Sequence, residues 1–114
     1  LIMPYGDTLR RLIARGGKVV AGTDSPIIPP GISLHTEIQN FVEGGLTPFQ
    51  ALQTATVWAA EALGAKEDLG TIEPGKLADL VIIDGDPLSD IRATWNIHTV
   101  IKNGKTYRLD DLLR

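Results

Sequence analysis

Apolar positions near the start of this chain recur at helical spacing and then give way to a short continuous run. Leu9, Leu12 and Ile13 share one face of a predicted short helix, with Asp7 as its N-cap and Gly16-Gly17 as its stop. Lys18 to Gly22 reads as a buried strand, so the first elements form half of an α/β repeat. Ser25 to Ser33 holds three prolines and a glycine and is predicted as loop. A second helix starts with Ser33 as N-cap, lines one side with Leu34, Ile38, Phe41 and Val42, and ends at Gly44-Gly45. The third has the best-marked start, with Thr47 as N-cap, Pro48 at the first helical position and Gln50 completing a capping box. Leu52, Ala55, Ala59 and Leu63 form its expected buried stripe, and Gly64 its terminating glycine.

After Lys66 the pattern becomes β. Leu69 to Ile72 is predicted as a short strand, Glu73 to Lys76 as a turn, and Ala78 to Ile83 as a buried strand. Asp84 to Asp90 is a polar loop, followed by a strand over His98 to Lys102. Asn103-Gly104 is a strong hairpin signal that returns the chain along Lys105 to Tyr107. Leu109 to Arg114 forms one helical turn or frays. The predicted organisation is an α/β piece over residues 1–65 and a β piece over residues 66–114.

Composition narrows the partners. The 114 residues suit one small domain, and 43% hydrophobic with 22% charged residues is ordinary for a globular chain. A net charge of −3 argues against nucleic acid or an anionic membrane as partner. No apolar run approaches the roughly 20 residues that cross a bilayer. With no cysteine there is neither a disulfide framework nor a thiolate site. The chain opens at Leu1 without an initiator methionine, and its first residues read as the middle of something longer.

Candidate chemistry concentrates at Val19 to Pro26, where an apolar run passes through Gly22 and Thr23 to the carboxylate of Asp24. At the C-terminal edge of a barrel strand, such a group faces the pocket. There it can hold a divalent metal and move a proton to or from the water on that metal. The same residues equally suit a plain turn in which Asp24 bonds its own backbone. Thr23 and Ser25 flank Asp24 and would either orient its carboxylate or stabilise the turn. His35, one turn into the second helix, is either a pocket residue or a helix-packing histidine bonded to a backbone group.

A longer pattern then emerges. Gly22-Thr23-Asp24-Ser25, Leu34-His35-Thr36-Glu37, Gly45-Leu46-Thr47-Pro48, Ala51-Leu52 with Ala55-Thr56, and Leu63-Gly64 follow in order. They lead to Leu69-Gly70-Thr71-Ile72-Glu73-Pro74-Gly75-Lys76-Leu77-Ala78-Asp79-Leu80-Val81, the longest and most specific segment. In these residues the chain resembles the C-terminal portion of a metal-dependent amidohydrolase, of the imidazolonepropionase-like and Xaa-Pro dipeptidase-like branch. The resemblance implies an α/β fold, the C-terminal part of a TIM-like (β/α)8 barrel with its last strand and flanking helices. Strands of a small β-sandwich would follow, and the fold as given would be incomplete. It further implies that Asp24 binds a catalytic divalent metal, usually zinc, and serves as general base for the metal-bound water. The family's His-x-His pair, its fourth-strand carboxylate or carboxylated lysine and its two later histidines are absent, since the only histidines are His35 and His98. A complete barrel takes about 250 residues, so the chain alone is not expected to be active.

Other polar positions have plainer readings. Asp79 is expected to hold a turn or to pair with Lys76. Asp84, Asp86 and Asp90 lack the spacing of a calcium loop, and Pro87 interrupts them. His98 is placed at a sheet edge, and Trp58 and Trp95 in a core or interface. No phosphate-loop or Gly-x-Ser-x-Gly pattern occurs. Two functions follow. The first is part of a hydrolase for C–N bonds in small amides, cyclic amides or dipeptides, working through a metal-activated water. The second is a non-catalytic assembly module that keeps only the fold. Either would associate with itself or with the missing N-terminal part of the barrel, because a lone parallel strand exposes unpaired backbone.

Overall fold

The computed structural model describes residues 5–27, 29 and 31–114, so positions 28 and 30 of the proline-rich loop lie outside the described residues. Helix α1 covers Gly6–Ala14 and stops at Gly16, which takes a φ of 85°. Tyr5, not Asp7, occupies the cap position. Asp7 instead lies in the first turn, where its negative charge complements the positive end of the helix dipole, and binds Arg10 at 2.9 Å. Gly6 backs so closely onto the end of the second helix that a Cβ there would lie 2.0 Å from the Gly44 carbonyl oxygen.

Lys18 to Gly22 forms no strand here, which corrects the expectation. Val19 and Ala21 pack against the core, and the Ala21 N–H donates to the Thr54 carbonyl at 3.0 Å. A parallel strand needs neighbours brought alongside by crossovers, and the three strands among the described residues pair only with one another.

Helix α2, Ile32–Glu43, begins after Gly31 (φ 89°), so Ser33 is a buried residue of the first turn and not the cap. Ile38 and Phe41 are buried and Val42 packs beside them, whereas Leu34 is largely outside. The next helix breaks in two, α3 over Pro48–Thr54 and α4 over Val57–Ala62. The expected capping box is present, with Thr47 and Gln50 bonded to each other's backbone N–H at 3.1 and 3.0 Å. The break follows two threonines whose hydroxyls turn back on the ladder: Thr54 donates to the Ala51 carbonyl at 2.6 Å and Thr56 to that of Leu52 at 2.8 Å. One stripe therefore cannot run through both pieces. Ala51, Thr54 and Ala60 are buried, Leu52 and Ala55 lie at the core margin, and Leu63 is 79% exposed. Gly64 (φ 70°) closes α4 in a Schellman motif, its N–H on the Glu61 carbonyl and that of Ala65 on Ala60.

Leu69 to Ile72 is a loop, not a strand. Lys76 gathers it, with Nζ donating to the Lys66 carbonyl and the Thr71 hydroxyl at 2.6 Å each and pairing with Glu73 at 3.0 Å. Strands β1 (Leu80–Ile83), β2 (Ile97–Lys102) and β3 (Lys105–Arg108) form an antiparallel sheet in that order. β1 is an edge strand, and Val81 and Ile82 are about half exposed, which corrects the fully buried strand expected over Ala78 to Ile83. Asn103 (φ 49°) and Gly104 (φ 79°) make the predicted tight hairpin. Asp79 secures that turn from the side, accepting from Lys102 Nζ at 2.6 Å and the Asn103 N–H at 2.8 Å. Its partner is thus Lys102 and not Lys76. His98 lies on the central strand, not at an edge, with Nδ1 2.7 Å from the Thr99 hydroxyl.

A 3₁₀ turn over Ile91–Trp95, capped by Asp90, was not anticipated because it is too short for periodicity to mark it. It supplies Ile91 to the core of Ile38, Phe41, Leu46 and Ala51, and so fastens the sheet half to the helices. Helix α5, Leu109–Leu112, ends the chain with the expected helical turn.

Candidate active site

The candidate site lies where the segment after Ala21 turns across the start of α2. The Ile27 N–H donates to the Asp24 carbonyl at 3.0 Å, closing a four-residue turn with a cis Ser25-Pro26 bond. Asp24 itself adopts a φ of 56°, a left-handed conformation that costs energy for a residue with a Cβ. Its carboxylate is exposed and has no side-chain hydrogen bond or ion pair among the described residues. Ser25 is exposed beside it, and Thr23 is half-buried.

Gly22 and Thr23, the two residues before Asp24, wall a cavity of about 250 Å³. Opposite them α2 presents Ser33, Thr36, Glu37 and Asn40, with Phe41 at the base. Glu37 is the notable group. Its Oε2 is buried without a hydrogen-bond partner. Burial raises the carboxyl above the ordinary glutamate value, and the nearby Gly22 N–H partly offsets that rise. His35 is turned elsewhere, with Nδ1 3.2 Å from the Thr94 hydroxyl and its ring centroid 5.0 Å from that of Trp95. It does not line the cavity.

Glu37 and Asn40 received no role from the sequence. A signal was present: Ser33, Thr36, Glu37 and Asn40 follow the i, i+3, i+4, i+7 spacing of one helix face, beside the apolar face. A polar stripe of that kind ordinarily faces water, and only packing against 22–23 turns it into a cavity wall.

For a divalent metal, Asp24 offers a hard, unpaired carboxylate oxygen. The described residues contain no group of three or more His, Cys, Asp or Glu side chains that could hold an ion. The residues present therefore fit one coordination position, where a catalytic zinc takes three protein ligands.

A family model described as the amidohydrolase family matches residues 7–107. The chain belongs to that family. An imidazolonepropionase from Geobacillus kaustophilus is 39% identical over 109 residues, which cover 91% of this chain and 26% of the relative. A 5-methylthioadenosine/S-adenosylhomocysteine deaminase from Thermodesulfovibrio yellowstonii is 31% identical over 116 residues, covering 90% and 25%. Among solved structures, a Xaa-Pro dipeptidase with methionine bound in its active site superposes with a TM-score of 0.80 at 38% identity. That match covers 90% of this chain and 25% of the dipeptidase chain. The chain thus spans about a quarter of the length of the relatives it matches. These amidohydrolase relatives are enzymes, and the named ones support hydrolysis of C–N bonds as the chemistry of the group.

Proposed function

We propose that this chain contributes the general base to an amidohydrolase that cleaves a C–N bond in a small amide, cyclic amide or dipeptide. The observation that carries the reading is Asp24: an unpaired, exposed carboxylate held at a φ of 56° on the turn beside a cavity. Strained backbone of this kind persists where surrounding structure over-determines it, and it concentrates at functional positions. In this reading residues 1–65 form the closing end of a (β/α)8 barrel, and Lys18 to Gly22 becomes its last strand once neighbours pair with it. Residues 66–114 form part of the flanking β-sandwich. The half-exposed Val81 and Ile82 of β1 offer apolar surface for the remainder of the protein or a second copy to cover.

A divalent cation, zinc by family precedent, would supply a water acidic enough to ionise near neutral pH. Asp24 would hold it through one carboxylate oxygen. With the other, Asp24 accepts a proton from the attacking water and returns it to the leaving nitrogen. Thr23 and Ser25 fix the turn on either side. His35, bonded to Thr94 and stacked near Trp95, anchors α2.

The test is Asp24→Asn in the full-length protein, assayed on amide and dipeptide substrates. The expected loss is at least about 100-fold in kcat, the low end of general-base contributions, with an unchanged far-UV spectrum. A variant as active as its parent would reject the assignment and leave the assembly-module reading.

A further inference from the structure

We propose that Asn103 is a site of spontaneous deamidation, and that the corner at Ala78 and Asp79 holds the reaction in check through hydrogen bonds onto the Asn103-Gly104 turn. Neither Asp24 nor the cavity takes part, so the hydrolytic reading is not required. Asp79 lies 24 residues before Asn103 and meets it directly. Its Oδ1 accepts from the Asn103 N–H at 2.8 Å, and its Oδ2 from Lys102 Nζ at 2.6 Å. One residue earlier, the Ala78 carbonyl accepts from the Gly104 N–H at 3.0 Å.

Asn103 and Gly104 are exposed at the tip of the β2–β3 hairpin, so water reaches the side-chain amide. In deamidation the Gly104 nitrogen gives up its proton to water and attacks Asn103 Cγ. The new C–N bond closes a five-membered succinimide, and the side-chain nitrogen leaves as ammonia. Water then opens the ring at either carbonyl, leaving aspartate or isoaspartate. A glycine in the following position favours this attack, because no Cβ crowds the incoming nitrogen. Two restraints oppose it here. The attacking nitrogen is the one bonded to Ala78, and that bond must break before it can turn toward Cγ. The asparagine backbone, at a φ of 49°, is pinned by its own N–H on Asp79. The product would undo the corner. A carboxylate at position 103 would stand beside that of Asp79, and isoaspartate would add a methylene to the main chain of a two-residue turn that sets the β2–β3 register.

The experiment incubates the full-length protein in mildly alkaline buffer and follows the chymotryptic peptide 96–107 by fragment-ion mass spectrometry. Asn96 lies in the same peptide before the β-branched Ile97 and serves as the internal reference. In the parent unfolded in urea, Asn103 should convert well ahead of Asn96, and in the native parent it should convert slowly. Asp79→Ala removes both acceptor oxygens and should raise the native rate roughly 2-fold to 10-fold, the scale of one hydrogen bond. Asp79→Asn keeps a side-chain oxygen for the Asn103 N–H and should stay near the parent. A native parent that converts as fast as the unfolded chain overturns the proposal, as does an unfolded chain with no preference for Asn103. A folded Asp79→Ala variant at the parental rate, or an Asp79→Asn variant as fast as Asp79→Ala, overturns it equally. If Asp79→Ala fails to fold, amide hydrogen exchange in the parent decides. The Asn103 and Gly104 amides should exchange more slowly than in the unfolded chain, and free exchange at both overturns the clamp.

Discussion

The helical half and the sheet half of this molecule solve the same problem in opposite ways. In the sheet half, backbone groups are satisfied by neighbours in sequence: β2 and β3 meet across a two-residue turn, and β1 adds to β2 across the connection that carries the Ile91–Trp95 turn. Its apolar side chains fare less well, with Val81, Ile82 and Leu77 about half exposed. In the helical half, Ile38, Phe41, Leu46 and Ala51 are packed away, while the backbone from Lys18 to Thr23 lacks a ladder. Antiparallel strands close locally, whereas a parallel strand waits for partners remote in sequence. Burial and hydrogen bonding are thus satisfied separately, and the candidate site lies in the half that holds most of the buried core but has no ladder over residues 18–23.

If that contrast is right, core substitutions should divide by half. Ile38→Ala should cost about 2–5 kcal/mol, because Ile38 is 5% exposed and its neighbours cannot collapse into the space. Val81→Ala, at 54% exposure, should cost about 1 kcal/mol or less. Urea unfolding followed by tryptophan fluorescence measures both, and equal losses would break the comparison. Thr47→Ala removes one side of the capping box and should cost about 1 kcal/mol, read from the same curves.

The smallest effects are those of pH, and the two halves should respond with opposite sign. Lys102 first, and then the Asn103 N–H, hold Asp79 below the ordinary aspartate value of 3.8. Its contribution is present above that value and is lost as pH falls through the folded one. Glu37 is raised above 4.5 by burial, so the folded state is favoured below 4.5 and that advantage disappears as pH rises through the folded value. Asp79→Asn should therefore flatten the acid limb of the stability profile. Glu37→Gln should remove the decline on its neutral side. Unfolding midpoints measured from neutral pH down to about 2 test both signs.

Legibility followed the range of the interactions. The capping box at Thr47, the Schellman glycine Gly64 and the Asn103-Gly104 hairpin were all readable, since each is closed by residues within one turn of chain. The break between α3 and α4 was not: Thr54 and Thr56 look like ordinary helix residues until their hydroxyls choose backbone carbonyls. At the site, Asp24 was legible from its place after an apolar run. Glu37 was not, because its polar stripe on α2 becomes a cavity wall only when Gly22 and Thr23 cross it.

By itself, the sequence determined family membership, the capping box at Thr47, the glycine stop at Gly64, the hairpin and the position of Asp24 after its apolar run. These depend on backbone preferences and on contacts a few residues apart. Tertiary structure decided which apolar faces are buried, that Ile91 joins the two halves, that Lys102 is the partner of Asp79, and that Glu37 faces Gly22. Those outcomes depend on groups distant along the chain meeting in space, and no local preference encodes such a meeting.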